Sequence, residues 1–258
     1  MRAKAVHVES FLPRLVAGGL LSAAVAFFAR RRAALTDSGA WAASAVGIAL
    51  VLAGWPWLAL IGVFFITSSV LTRLEPARGG SARSRDRGGR RWQQVAANGG
   101  VAAVTAMVSA LTAWPQGFGV AAGAIAAATA DTWATEIGRW SRTPPRLITT
   151  AQPVAPGVSG GVTVWGTLGS VAGALLVAAL ALALYGTSRA GGAPAAPFGW
   201  TAWIAVAGIT GSLLDSLLGA TVEDRWRWLD NDAVNVAATA WGAALMLYVS
   251  MRGGPGLR

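Results

Sequence analysis

Cysteine is absent from this chain, and histidine and lysine occur once each, as His7 and Lys4. Without thiols, disulfides and thiolate-bound metals are excluded. The one imidazole lies near the N-terminus, so the body of the chain has no histidine for a metal cluster or for acid–base catalysis. The one lysine excludes a Gly-x-x-x-x-Gly-Lys phosphate loop. Charge of either sign is scarce too. Only 12% of the 258 residues are charged and 54% are hydrophobic, where soluble domains carry about 25% charged residues.

What fills the chain instead is apolar sequence in long runs, the signature of an all-α polytopic membrane protein. Eight candidate spans can be read, at about 12–29, 38–53, 56–72, 95–113, 118–138, 161–185, 200–222 and 233–251. A span needs about 20 apolar residues and several of these are short, so the bundle is expected to hold six to eight transmembrane helices in one domain covering residues 1–258. The first span runs into Arg30, Arg31 and Arg32 without a small-residue cleavage site and reads as an anchor.

The net charge is +10, almost all from arginine. In a soluble protein this would suggest nucleic acid. Here the arginines fall between apolar runs, where they orient helices and meet anionic headgroups, so the bilayer is the expected partner and nucleic acid is not. Most of them fall on one set of loops: Arg30–Arg32, the run from Arg73 to Arg91, then Arg139, Arg142 and Arg146, then Arg225 and Arg227. The positive-inside rule places these loops in the cytoplasm, and the Ala/Arg-rich composition suggests a bacterial inner membrane. Residues 75–89, EPARGGSARSRDRGG, read as a disordered cytoplasmic loop.

With the spans so oriented, the polar residues converge. Ser68, Ser69 and Thr72 close the third span; Gln93, Gln94 and Asn98 open the fourth. Asp131, Thr132, Thr135 and Glu136 close the fifth. Ser159 and Thr163 open the sixth, Asp215 and Glu223 close the seventh, and Asn231 and Asn235 open the eighth. Nearly all lie in the cytoplasmic half, as a site open to that face requires.

The acidic residues carry most weight. A carboxylate at membrane depth costs roughly 2.5–3.5 kcal/mol on insertion scales, so it normally faces a polar cavity and has a function. Asp131 and Glu136 lie in GVAAGAIAAATADTWATEIG, and Asp215 in WIAVAGITGSLLDSLLGATV. Asp131 and Glu136 are about 140° apart on a regular helix, so either several helices bound one cavity or the helix end unwinds. Gly208, Gly211, Ser212, Asp215 and Gly219 form a small-residue face of the kind that lets helices approach closely. Asn231 fits an N-cap of the last helix, and Asn235 lies one turn deeper.

Between the fifth and sixth spans runs RWSRTPPRLITTAQPVAPGVSGG. Pro144, Pro145 and Pro156 enforce extended or turning backbone. Gly157, Gly160 and Gly161 permit positive φ and close ligand approach, and Ser159 is placed to cap the next helix. A Gly-rich turn feeding a helix N-terminus suits phosphate, and Arg139, Arg142 and Arg146 are placed to pair with its oxygens. Carboxylates facing phosphate need a cation between them, for which Mg²⁺ is the natural choice.

Five ordered segments, RRWQQVAANGG, ADTWATEIG, PVAPGVSGGVTVWGTLGS, GSLLDSLLGATVED and NDAVN, resemble the motifs of domain-of-unknown-function family 92, also called the transmembrane protein 19 family. The resemblance runs from about residue 34 to 250. Plant members include phytyl-phosphate kinase, which implies a nucleotide-dependent kinase acting on a lipid phosphate. The chain is also distantly similar to the CTP-using dolichol and phytol kinases. Ala130, Asp131, Ala134 and Gly138 resemble their Gly-Asp-x-x-Ala-x-x-x-Gly segment, and Val158, Ser159, Gly160 and Gly161 their Lys-Ser-x-Glu-Gly-Ser loop. The Lys and Glu of that loop are missing here.

The expected function is phosphoryl transfer from a nucleoside triphosphate, CTP or ATP, to an isoprenoid monophosphate at the cytoplasmic face. Asp131, Glu136 and Asp215 would hold Mg²⁺, and Gly157, Ser159, Gly160 and Gly161 would cradle phosphate. Arg139 or Arg146 would neutralise charge, and Asn98, Asn231 and Asn235 would orient phosphate or water. A transporter or flippase for a lipid phosphate or anion, and a cytidylyltransferase forming a CDP-lipid, are the alternatives. Homo-oligomerisation is left open by the sequence.

Overall fold

The computed structural model describes residues 2–74, 88–185, 198–223 and 229–252, with side chains of the first helix from Phe11 onward. Most of the loop expected to be disordered, residues 75–87, lies outside the described residues. So do the connector 186–197 and the charged residues Asp224, Arg225 and Arg227.

Eight α-helices follow one another: α1 (Arg2–Arg31), α2 (Asp37–Ala53), α3 (Trp55–Arg73), α4 (Trp92–Thr112), α5 (Gly117–Gly138), α6 (Val164–Tyr185), α7 (Phe198–Thr221) and α8 (Asn231–Met251). Two residue pairs form the described strands, β1 (Arg146–Leu147) and β2 (Gly161–Val162), both within the loop between α5 and α6. The protein is an integral membrane helical bundle. Six helices are long and apolar enough to span a membrane: α1 (over Phe11–Arg31), α3, α4, α6, α7 (over Gly199–Thr221) and α8. Helix α2 is apolar but shorter, at 17 residues.

Helix α5, read from the sequence as an ordinary span, is long enough but is not one of those six. Its position explains why. It packs against α3, α4, α6, α7 and α8, and every residue from Gly117 to Ala130 is buried. A helix that meets other helices rather than lipid gains nothing from bulky apolar side chains. What it needs is close approach, which small residues give. At Gly123 an added Cβ would stand 2.4 Å from the Gly242 carbonyl oxygen of α8, and at Gly119 one would stand 2.7 Å from the Trp200 ring of α7. The encircling helices touch in turn: α3 meets α6, α6 meets α7, α7 meets α8 and α8 meets α4. Helix α2 contacts both α3 and α4, and α1 packs on α2.

Local capping fixes where helices start. Thr36 accepts from Gly39 N, Thr163 Oγ1 accepts from Gly166 N at 2.9 Å, and Asp230 Oδ1 accepts from Ala233 N at 3.0 Å. Two expectations are thereby corrected. Asp230, not Asn231, is the N-cap of α8. Thr163, not Ser159, supplies the side-chain cap at the start of α6. In both cases the cap stands three residues before the N–H it satisfies, as capping geometry requires.

The arginine-rich ends of the helices meet on one side of the bundle. Arg90 N donates to Ala34 O at 3.0 Å and Thr36 N to Arg90 O at 3.1 Å, tying the α1–α2 turn to the start of α4. Gly89, with φ +84°, makes that approach, since a Cβ there would lie 2.6 Å from the Leu35 carbonyl carbon. Arg91 pairs with Asp232 at 3.5 Å, joining the starts of α4 and α8. The side on which the sequence gathers its polar residues is thus one physical end of the bundle.

Candidate active site at the arginine-rich end

Two acids predicted from separate helices come together. The carboxyl groups of Asp131 on α5 and Asp215 on α7 lie beside each other, and Glu223, just beyond α7, lies within electrostatic range of both. Two carboxyl groups so placed either carry a proton on one of them or need a cation between their oxygens. Among the described residues no arginine or lysine forms an ion pair with either acid, and Asp215 Oδ2 is buried with no hydrogen-bond partner. Helix packing creates the juxtaposition. The small-residue face of α7 seats on α5, where a Cβ on Gly208 would lie 3.0 Å from Ala126 Cβ and one on Gly211 2.6 Å from Ala127 Cβ. Asp215 lies one turn further along that face.

Glu223 is the residue that sequence reasoning left out of the site. Its carboxylate Oε2 accepts a hydrogen bond from Ser159 Oγ, which fastens the Gly-rich loop to the end of α7. A signal for it was present. Asp215, Gly219 and Glu223 are spaced four apart, which places them on one helix face. The backbone fit at this contact is tight. A Cβ on Gly219 would lie 2.7 Å from Ser159 Oγ, and one on Gly160 would lie 2.4 Å from Ala220 Cβ. Gly157 and Gly160 have φ of +89° and +75°. Gly161 does not share the positive φ expected of it, because it pairs with Leu147 in the β1–β2 ladder.

That ladder, with Ile148 N donating to Gly160 O at 3.0 Å, folds the whole loop back on itself. The loop therefore presents Ser159 and Gly160 to α7 from an ordered base. Gly160→Ala is expected to release this contact. Positive φ costs an L-residue roughly 1–2 kcal/mol, and the new methyl would meet Ala220. Trypsin should cut faster at Arg142 and Arg146 while the melting temperature of the bundle stays close to wild type.

The structure divides the third predicted acid from the other two. Glu136 is 3% exposed. Its Oε1 accepts from Thr72 Oγ1 of α3 at 2.8 Å, and its Oε2 accepts from Arg139 Nη1 at 3.1 Å. The five-residue step from Asp131 turns it toward α3, as helix geometry demands. Among the described residues no group of three Asp, Glu, His or Cys side chains is clustered tightly enough to hold a metal ion, so the expected Asp131–Glu136–Asp215 ligand set is not assembled as one cluster. Arg139 is held by Glu136. Arg146 Nη1 donates to Ala151 O at 2.8 Å inside the loop.

Asn98 and Asn235 stand on α4 and α8 at the same end. Asn98 Nδ2 donates to Gln94 O at 3.0 Å and leaves Oδ1 buried without a partner. Asn235 is buried, and its Nδ2 donates to Asn231 O at 2.8 Å. Neither hydrogen-bonds to the acid pair. Asn231 itself is exposed. Ser68 and Ser69 of α3 add buried hydroxyls without partners. The end of the bundle thus keeps more buried hydrogen-bonding capacity than its own residues use, a pattern that ordered water or a polar ligand normally satisfies.

Comparison with known proteins agrees with this architecture. The Protein PGR of Arabidopsis thaliana is 34% identical over 229 residues, 81% of this chain and 79% of the relative. An uncharacterized membrane protein of Methanocaldococcus jannaschii is 32% identical over 93% of this chain and 96% of its own length. A Synechocystis membrane protein is 33% identical over 75% of this chain and 74% of its own. No solved structure matches the chain. The model of the integral membrane protein family DUF92 matches residues 20–243, a stretch that takes in the acid pair, the Gly-rich loop and the six complete helices from α2 to α7, and the chain belongs to that family.

Proposed function

We propose that this protein is a membrane-embedded kinase that transfers the γ-phosphoryl group of a nucleoside triphosphate to an isoprenoid monophosphate at the cytoplasmic face. The observation that carries the reading is the Asp131–Asp215 pair, half-buried beside Glu223, with no ion pair to a cationic side chain among the described residues. An acid pair of this kind at membrane depth fits a divalent cation, because it offers carboxylate oxygens that no arginine among the described residues engages. Magnesium bound there would supply positive charge to the phosphates it meets. Asp131 and Asp215 would hold it, and Glu223 would keep the Ser159–Gly160 turn against α7, beside them.

In the transfer, an acceptor phosphate oxygen forms a bond to the γ-phosphorus and the bond from that phosphorus to the β–γ bridging oxygen breaks. The products are a prenyl diphosphate and a nucleoside diphosphate. The acceptor is already an anion, so the residues need to position and neutralise rather than to deprotonate. Arg139, steadied by Glu136, stands at the end of α5 where added charge on phosphate would be met.

Purified protein in nanodiscs, with Mg²⁺, γ-labelled ATP or CTP and a panel of prenyl monophosphates, tests the proposal. Labelled prenyl diphosphate is the expected product. A CDP-lipid labelled from α-labelled CTP instead would make the protein a cytidylyltransferase. Absence of any nucleotide-dependent product, from protein that binds prenyl phosphate, would favour transport.

A further inference from the structure

A cavity of about 450 Å³ opens at the corner where α5 ends and α6 begins, lined by Trp140, Ser141, Arg142, Thr143, Val164 and Trp165. It is distinct from the acid pair. Asp131 lies two helical turns back from Gly138, the last residue of α5, about 10 Å along the helix, while the cavity lies beyond that end.

Its walls are apolar and its far edge is cationic. Arg142 is exposed and makes no hydrogen bond or ion pair among the described residues. Its position is fixed from both sides. Ser141 Oγ donates to Thr143 O at 2.9 Å and accepts from Thr143 N at 3.2 Å, a tight turn with Arg142 at its apex. On the other wall, Val164 and Trp165 are 76% and 55% exposed. They begin a helix whose outward face continues through Leu168 and Leu175, both exposed in the bundle, which in a membrane means facing lipid. The cavity therefore lies where a headgroup layer meets hydrocarbon, the depth that tryptophan favours. Basic pockets between transmembrane helices on this side of a membrane take lipid phosphates.

We propose that this corner is the capture subsite for the acceptor: Arg142 takes the phosphate monoester of a single-chain membrane lipid, while Trp140, Val164 and Trp165 hold the first part of its hydrocarbon chain. The assignment rests on the reading of the acceptor as a lipid phosphate. It adds a lateral entrance from the bilayer, separate from the place of phosphoryl transfer. Charge complementarity selects the headgroup, and the apolar walls reject free inorganic phosphate. A cavity this small, with one cation, suits one chain and one monoester better than the two chains of phosphatidate.

Binding of radiolabelled prenyl monophosphate to protein in neutral-lipid nanodiscs tests this without any need for turnover. Arg142→Glu and Trp165→Ala are both on the surface and should leave the melting temperature unchanged. Each is expected to weaken binding by roughly tenfold or more, a loss of about 1.4 kcal/mol, and Arg142→Lys is expected to recover part of it. Inorganic phosphate should not compete, and phosphatidate should compete poorly. Equal binding by wild type and both variants, absence of binding by wild type, or full competition by phosphatidate would each overturn the subsite. If instead the variants lose binding while wild-type protein forms no prenyl diphosphate, the subsite stands and the kinase reading falls.

Discussion

Asp131→Asn and Asp215→Asn are each expected to lower prenyl diphosphate formation by about 10²–10³-fold, the range typical of removing one electrostatic contributor at a reacting centre. The two carboxyls lie beside each other, so on this reading they act as a unit and the double variant should lose little more than either single one. The same substitutions separate this role from a structural one. If the pair holds Mg²⁺ as proposed, the ion would draw together two carboxylates that otherwise repel in wild type, and should raise the melting temperature by linkage. In Asp131→Asn the repulsion is gone, because an amide can hydrogen-bond to the remaining carboxylate. That variant should be at least as stable as wild type in EDTA and should gain nothing from Mg²⁺. Thermal melting in detergent, with and without the ion, reads both quantities. An Asp131→Asn protein that keeps full activity, or that keeps the Mg²⁺ stabilisation, would remove the pair from the site.

Gly123→Val is expected to give the largest loss of stability in the bundle, about 3 kcal/mol or more, at the top of the range for overpacking. A Cβ at Gly123 would stand 2.4 Å from the Gly242 carbonyl oxygen and 2.6 Å from Met246 Cγ. The nearer obstacle is backbone, so no rotamer change relieves it and α5 and α8 must separate. Separation spreads, because α5 also carries the packing of α3, α4, α6 and α7. Gly242→Val should behave alike, since its Cβ would lie 2.4 Å from the Gly123 carbonyl oxygen. Combining the two should cost less than the sum, as one contact is being broken twice. Tryptophan fluorescence during thermal unfolding checks this. Gly62→Val is the control: nothing lies within 4 Å of a Cβ there, and it should melt close to wild type.

These two expectations draw on different information. The expectation that Asp131 and Asp215 matter rests on composition alone, because carboxylates are rare in apolar runs and costly there. Their pairing does not. Asp131 and Asp215 are separated by the loop after α5, all of α6 and most of α7, and either acid could face any neighbour its helix happens to meet. Glu136 illustrates the limit. It has the same residue class and the same helix as Asp131, yet it faces Thr72 and Arg139.

The sequence by itself determined the class of the protein: a membrane helical bundle, with its polar and arginine-rich residues gathered at one end. Hydropathy, loop charge and Gly/Pro content are local properties, and each can be read one segment at a time. The tertiary structure alone decided that α5 lies at the centre, that Asp131 meets Asp215, that Ser159 holds Glu223 rather than capping α6, and that Arg142 edges an apolar cavity. Those outcomes depend on which faces meet. In a bundle lined with glycine and alanine, many pairings satisfy the same local pattern. The choice among them is made by the close fit of whole helices, as where Gly123 and Gly242 meet backbone to backbone.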